Sequence, residues 1–348
     1  MRYVFRFWFA LALSLALMAG CSDDGESSTD SILWVASSAL VSEEEPGHVG
    51  FGITVSSSDG SEVQWLTDGE LDDYKPAYSP DVSKIAFFRL LDLGRGEVVL
   101  WSPKFMVMRP DGSGVRELTD SGGLDHIPYW TRDGSGDIIF NRTYGAGQSI
   151  YRTSPDAQPG DEQLLSDPSY IEEGYSSLRD GRVIIRRDFP PKVFLLTPGD
   201  SGSPRYEEVS YPFEGALLHR ITLSPSETKI AYMKIAPENL DPEDYLHVYI
   251  YNPSVIAHAD FDAENLRIGN EVEITQYDES TRDWYPAWSA DEKLIVWTHG
   301  VSCSVLGTEP CEPSGVVMAY SLETGVTTQI SSRDDLEYRY PNVVGTVK

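Results

Sequence analysis

The sequence predicts an all-β chain folded as a β-propeller, and three observations carry that reading. A phrase of residues recurs along it, short strand-like runs alternate with turn residues, and the units return at a regular spacing. The phrase reads LTDGELDDYKPAYSPDVSKIAFFR at Leu66–Arg89 and ELTDSGGLDHIPYWTRDGSGDIIFNR at Glu117–Arg142. Looser copies follow at Tyr170–Arg187 and Leu218–Met233, and the pattern sharpens again at Ile274–Thr298.

Each unit has the grammar of a four-stranded blade. In the first, YKPAYS and KIAFFR are alternating apolar runs separated by a Ser-Pro-Asp turn; FMVMRP is a third run, and a DGSG turn leads to VRELT. Aligned on Pro76, the equivalent positions are Pro128, Tyr175, Ile221, Pro286 and Pro341, at intervals of 52, 47, 46, 65 and 55 residues. Six innermost strands result. The sixth, YRYPNVVG at Tyr338–Gly345, has no following strands, whereas ILWVAS (Ile32–Ser37), FGITVSS (Phe51–Ser57) and EVQWLT (Glu62–Thr67) have no first strand. The expected architecture is therefore six four-stranded antiparallel blades. The last is composite, with one C-terminal and three N-terminal strands, so that no sheet edge is left open. The 65-residue interval carries a loop insertion, flanked by HVYIYN and EVEITQ as the expected third and fourth strands.

The N-terminus reads as an export signal. Arg2 and Arg6 precede an apolar run from Phe7 to Met18 that is short for a membrane span. The run ends at LMAGC, which resembles a bacterial lipobox with Cys21 as the acylated residue. The expected organisation is a lipoprotein signal peptide at 1–20, an acidic tether at 21–31 and the propeller at 32–348. With Cys21 spent on lipid, Cys303 and Cys311 remain, and they bracket a short loop that a disulfide would close in an oxidising compartment. Export, a lipid anchor and Ser22 after the cysteine place the protein in the cell envelope, at the outer membrane. It would touch the membrane only through its anchor.

A formal net charge of −28 excludes a nucleic-acid-tracking surface, which must be basic. Basic partners and divalent cations stay open. The GDSGSP stretch around Ser201 reads as a turn, no G-x-S-x-G elbow is present, and the acidic run Glu238–Asp244 lacks the spacing of a calcium loop. Trp65, Trp130, Trp288 and Trp297 fall on strands and are expected between blades.

The pattern L-T-x(n)-P-x-[YW]-S-P-D-x(3)-I-A-F, closed by an Asp-Gly turn, resembles the TolB-like propeller repeat over Ile32–Val347. The resemblance implies six blades. Related repeats occur in the propellers of prolyl-oligopeptidase-type peptidases and oligogalacturonate lyases, so the motif speaks for fold and not for chemistry. The chain leaves no room for the α/β domain of TolB, and its Tol-system partners are not carried over.

The same alignment singles out one ring of unlike side chains. Two residues before the Pro76 position stand Tyr74, His126, Glu173, His219, Trp284 and Arg339, expected at one mouth of the central channel. Asp73, Asp125 and Asp283 come one residue earlier. The leading expectation is a non-enzymatic, monomeric scaffold without a cofactor, binding an envelope protein, a small ligand or a carbohydrate through this mouth. The alternative is a metal-dependent polysaccharide lyase or hydrolase in which His126, Glu173 and His219 hold a divalent metal.

Overall fold

The computed structural model describes residues 33–40, 51–57, 60–92, 101–119, 124–144, 147–187, 191–199, 203–212, 216–235, 254–278, 281–301, 315–331 and 336–344. The export signal, Cys21 and the tether, Ser201, the run Glu238–Asp244 and the Cys303/Cys311 loop lie outside the described residues. So do the side chains of His126 and Arg339, which are described by strand position alone.

All regular elements among the described residues are strands. Three come first, β1 (Leu33–Leu40), β2 (Gly52–Ser56) and β3 (Val63–Trp65). Four antiparallel four-stranded sheets follow. They are β4 (Asp72–Tyr78) to β7 (Arg116–Glu117) through β5 (Ile85–Asp92) and β6 (Trp101–Met108), then β8 (Leu124–Trp130), β9 (Ile138–Tyr144), β10 (Gly147–Thr153) and β11 (Gln163–Leu164). The next two are β12 (Glu172–Ser177), β13 (Val183–Arg187), β14 (Lys192–Thr197) and β15 (Arg205–Glu208), and β16 (Leu217–Leu223), β17 (Lys229–Ile235), β18 (Val255–Asp262) and β19 (Arg267–Glu273). The remaining strands are β20 (Thr281–Trp288), β21 (Leu294–Val301), β22 (Gly315–Ser321), β23 (Thr327–Gln329) and β24 (Leu336–Val344).

This is an all-β propeller of four-stranded antiparallel blades, with one correction to the count. Five sheets are present where six separate blades are expected, because the fifth sheet has eight strands in the order β20-β21-β22-β24-β1-β2-β3, with β23 also on β22. A single pairing between Gly315 and Tyr338 joins β22 to β24. Strand β24 pairs along its length with β1, from Leu33–Val344 to Leu40–Leu336. A second correction concerns the insertion: the third strand of that unit is β18, paired with β17 and β19, and not HVYIYN, which lies outside the described residues. SVIAHADFD, starting at Ser254, alternates equally well, so pattern alone could not choose between the two.

The repeated residues have identifiable jobs. The Thr or Ser that ends the L-T motif accepts a hydrogen bond from a third-strand amide in five units: Thr67 from Ile53, Thr119 from Phe105, Ser166 from Ile150, Thr275 from Ile256 and Ser331 from Val317. The Ser-Pro-Asp turn is held by its own side chains, with Ser79 Oγ donating to Asp81 at 2.6 Å and Asp81 accepting from the Ser83 amide at 3.1 Å. Neighbouring sheets share apolar cores: Phe105 of β6 meets Phe140 of β9 edge-on at 4.9 Å, and Ile53 of β2 packs with Ile85 and Phe87 of β5. Trp130 and Trp288 also reach across, donating to the carbonyls of Ala77 (2.8 Å) and Thr222 (3.1 Å) on the preceding first strand. Trp297 is buried as expected, but Trp65 is 36% exposed, lying over Gly52 where a Cβ would meet its ring at 2.8 Å.

The first two strands of several sheets are further tied by an acid–base side-chain contact in equivalent register, an arginine ion pair in three of them and a histidine contact in the fourth. Asp73 pairs with Arg89, Asp125 with Arg142, Glu172 with Arg187, and Asp283 with His299. Asp125 and Arg142 are the most enclosed, with side chains 0% and 5% exposed and a two-pronged contact at 2.6 and 3.0 Å. Removing one partner strands the other charge in the interior. Arg142→Met is therefore expected to lower stability by about 3–5 kcal/mol. The surface pair Lys192–Glu208 should matter far less, Lys192→Met costing under about 1 kcal/mol. Urea midpoints of the two variants check this, and equal shifts would contradict it.

Candidate functional site

The site is built by a defect repeated in every first strand. Strands β4, β8, β12, β16 and β20 each slip register against their second strand, between Tyr74 and Ala77, His126 and Tyr129, Gly174 and Ser176, His219 and Thr222, and Trp284 and Ala287. In β24 the slip falls opposite Val35–Ser37. These are β-bulges at the position used to align the repeats. The extra residue adopts the left-handed backbone at Lys75 (φ 53°), Arg220 (53°) and Tyr285 (57°).

The bulge separates two sets of side chains. Before it stand the residues singled out from the sequence, and those described are buried: Tyr74, Glu173, His219 and Trp284 are each under a tenth exposed. Tyr74 stacks between Phe51 and Phe88 at 5.2 and 5.5 Å, and Trp284 lies beside Tyr285 at 5.8 Å. His126 pairs with Asn141 and Arg339 with Ser37 through their backbones. None of the four described side chains lines the channel cavity.

Glu173 and His219 do meet, at 3.3 Å, within a buried polar cluster. One carboxylate oxygen of Glu173 accepts from Arg220 at 2.8 Å; the other accepts from Arg186 and from the Tyr175 hydroxyl, both at 3.1 Å. Nδ1 of His219 lies 2.8 Å from Arg186 and 3.1 Å from the Tyr175 hydroxyl, so it acts as an acceptor and the ring is neutral. Burial, reinforced by the two guanidiniums against the pull of Glu173, lowers the His219 pKa to about 3. Burial pushes the Glu173 carboxyl up, but the guanidiniums of Arg220 and Arg186 outweigh it and hold the group well below its ordinary value. With guanidiniums on both carboxylate oxygens, this cluster does not suit a metal ion. No group of three His, Cys, Asp or Glu side chains among the described residues is arranged to hold one.

Beyond the bulge the channel opens into a cavity of about 460 Å³. Every first strand contributes to its wall, through Pro76, Pro128, Ser176, Arg220, Pro286 and Pro341 among others. The bulge residues Lys75, Arg220 and Tyr285 line it, as do Arg132 and Arg179 on the turns after β8 and β12. Lys75 lies over the rings of Phe88 and Tyr285 at 5.3 and 5.8 Å, and Arg220 over Tyr285 at 5.3 Å. Arg132 donates to the carbonyls of Ser224 (2.6 Å) and Leu223 (2.8 Å). Burial holds Arg132 below its ordinary pKa and pushes the Tyr129 phenol up. These lining cations escaped the sequence reading by one alignment column and one turn position. Arg132 and Arg179 stand where the equivalent turns carry Pro80 and Pro225, a difference visible in the aligned repeats.

No family model matches the chain, and no curated protein does. Among solved structures, TolB from Acinetobacter baumannii superposes with a TM-score of 0.63 at 18% identity, over 90% of this chain and 66% of that one. Hydrazine synthase from Kuenenia stuttgartiensis gives 0.60 at 15%, over 90% and 46%. The putative TolB from Agrobacterium tumefaciens gives 0.53 at 12%, over 90% and 98%. The chain thus spans just under two thirds of the first chain and under half of the second. At these identities the likeness is one of fold, and the class it supports is the β-propeller.

The buried neutral His219 has a consequence for acid stability. Its folded pKa of about 3 lies below the ordinary 6.5, so the unfolded chain takes up the proton first and stability falls as pH drops through this window. Between pH 7 and pH 5 this one group should cost on the order of 2 kcal/mol. His219→Gln is expected to flatten the dependence of the urea midpoint on pH over that range. An unchanged slope would show that the ring is not held neutral.

Proposed function

We propose that this chain is a non-enzymatic binding propeller of the cell envelope, holding a ligand or partner in its channel cavity. The observation that carries the reading is the cavity itself: its volume falls within the roughly 300–1,000 Å³ of small-molecule sites, and all six first strands wall it. On this reading the eight-stranded sheet is two blades touching at Gly315–Tyr338, the last composed of β24, β1, β2 and β3, which makes six blades and closes the ring. The Leu33–Val344 to Leu40–Leu336 pairing and the packing of Ile53 on Ile85 support that closure.

The envelope location rests on the signal-like N-terminus, the lipobox-like LMAGC with Cys21 as anchor, and the TolB-like fold. A Cys303–Cys311 disulfide belongs to the same reading. The catalytic alternative asks Glu173 and His219 to ligate a cation, and the guanidiniums of Arg186 and Arg220 oppose it.

Blocking the cavity tests the proposal. Ala290 is an exposed residue of its wall, and Ala290→Trp adds bulk there without touching the core. Affinity capture from envelope extract, read by protein and small-molecule mass spectrometry, should show species retained by the native protein and reduced about tenfold or more in the variant. Retention should survive Arg205→Gln on the exposed outer strand β15. Identical capture by native and Ala290→Trp proteins would place binding elsewhere.

A further inference from the structure

The chain carries 55 acids against 27 bases, yet among the described residues the charged ones that line the cavity are Lys75, Arg132, Arg179 and Arg220, with no carboxylate. We propose that the cavity is an anion site, taking a small molecule that bears a carboxylate or phosphate group. This deepens the binding reading above and rests on it.

Beneath the floor, Arg186 and Arg220 both contact the Glu173 carboxylate beside the neutral His219. Arg220 spends Nη1 on Glu173, and its Nε makes no hydrogen bond among the described residues. Nε is buried, so the donors Arg220 offers the cavity it lines are those of its remaining guanidinium N–H groups.

At the opening, Arg132 is held by carbonyl oxygens alone, which orient the guanidinium without neutralising it. The acids that act on it, Glu227 and Glu292, are on the turns and outside the cavity lining. Glu227 accepts from the Arg179 amide at 2.9 Å, and Glu292 from the amide and hydroxyl of Ser226. Fixed cations in a partly dehydrated, low-dielectric cavity attract an oxyanion more strongly than the same cations on an open surface. Arginine in particular offers paired donors to carboxylate and phosphate oxygens. The rings of Tyr129 and Tyr285 and six prolines supply flat apolar wall for the rest of the ligand. Two bulge positions and two turn positions carry cations where equivalent units carry Ile, Tyr, Gly, Pro or Ala.

Three matched probes test the proposal on the full-length protein by calorimetric titration: glucose, glucuronate and glucose 6-phosphate. They separate a neutral ring from the same ring with a carboxylate or a phosphate. At least one anionic probe should bind about tenfold more tightly than glucose, and its affinity should fall between about 20 and about 200 mM NaCl. Arg220→Gln should abolish the preference. Because that change disturbs a buried pair, Arg179→Gln at the exposed turn is the second variant and should weaken anion binding by about threefold or more. Arg205→Gln should leave it unchanged. Equal affinity for glucose and both anions would overturn the anion assignment while leaving the cavity a binding site. Anion binding of native strength in both cavity variants would overturn it as well. Loss of capture in Ala290→Trp judges the underlying binding reading separately.

Discussion

The β-bulge in each first strand is the constraint on which the rest of this structure depends. A strand alternates its side chains strictly, so one extra residue moves every later side chain to the opposite face. Before the bulge, Asp73, Asp125, Glu172 and Asp283 are committed to cross-strand cations, and Tyr74 and Trp284 to aromatic packing. At and after it, Lys75, Arg220 and Tyr285 turn toward the channel and the prolines wall it. A left-handed backbone at a non-glycine residue costs roughly 1–2 kcal/mol. Three such residues at one register position show that the fold sustains this cost where the channel is made.

What offsets the strain sits close by. In four of the sheets an acid paired across the first hairpin lies two residues before the bulge residue and fixes its register on the near side. On the far side, the Trp130 and Trp288 indoles bond to the carbonyls of Ala77 and Thr222, just past the bulge of the neighbouring first strand. The bulge of β4 is held between two anchors, one within its sheet and one from the next. The third sheet departs from this scheme. Gly174 stands at the bulge position without a positive φ, and a Cβ there would meet Ile150 at 3.2 Å. Its neighbourhood is also where the buried Glu173 cluster forms, so the polar network occupies the place of the usual aromatic packing.

Much of this was legible from residues. The Pro76 alignment found every first strand, and the five positions of the L-T motif proved to be one hydrogen bond repeated. Strands β1 to β3 lie where three partnerless strands were read, and β24 pairs with β1. The site was harder to read. The alignment gave the ring of Tyr74, Glu173, His219 and Trp284, but a residue's identity does not say which way a bulge turns it. The lining begins one residue later. The link between β22 and β24 hangs on one bridge at Gly315, which no pattern marks. Trp65 was read as core because tryptophan on a strand is usually buried, whereas here Gly52 gives its ring a shallow seat near the surface.

An acidic protein that concentrates cations in its central cavity has separated two electrostatic roles. On the anion-site proposal the acidic outer surface favours solubility and the cationic channel selects the ligand. Anomalous diffraction from bromide-soaked crystals tests that separation most directly. The account predicts a bromide peak inside the cavity, against Arg220 and Lys75. Bromide confined to the outer surface, with the cavity free of anomalous density, would contradict it.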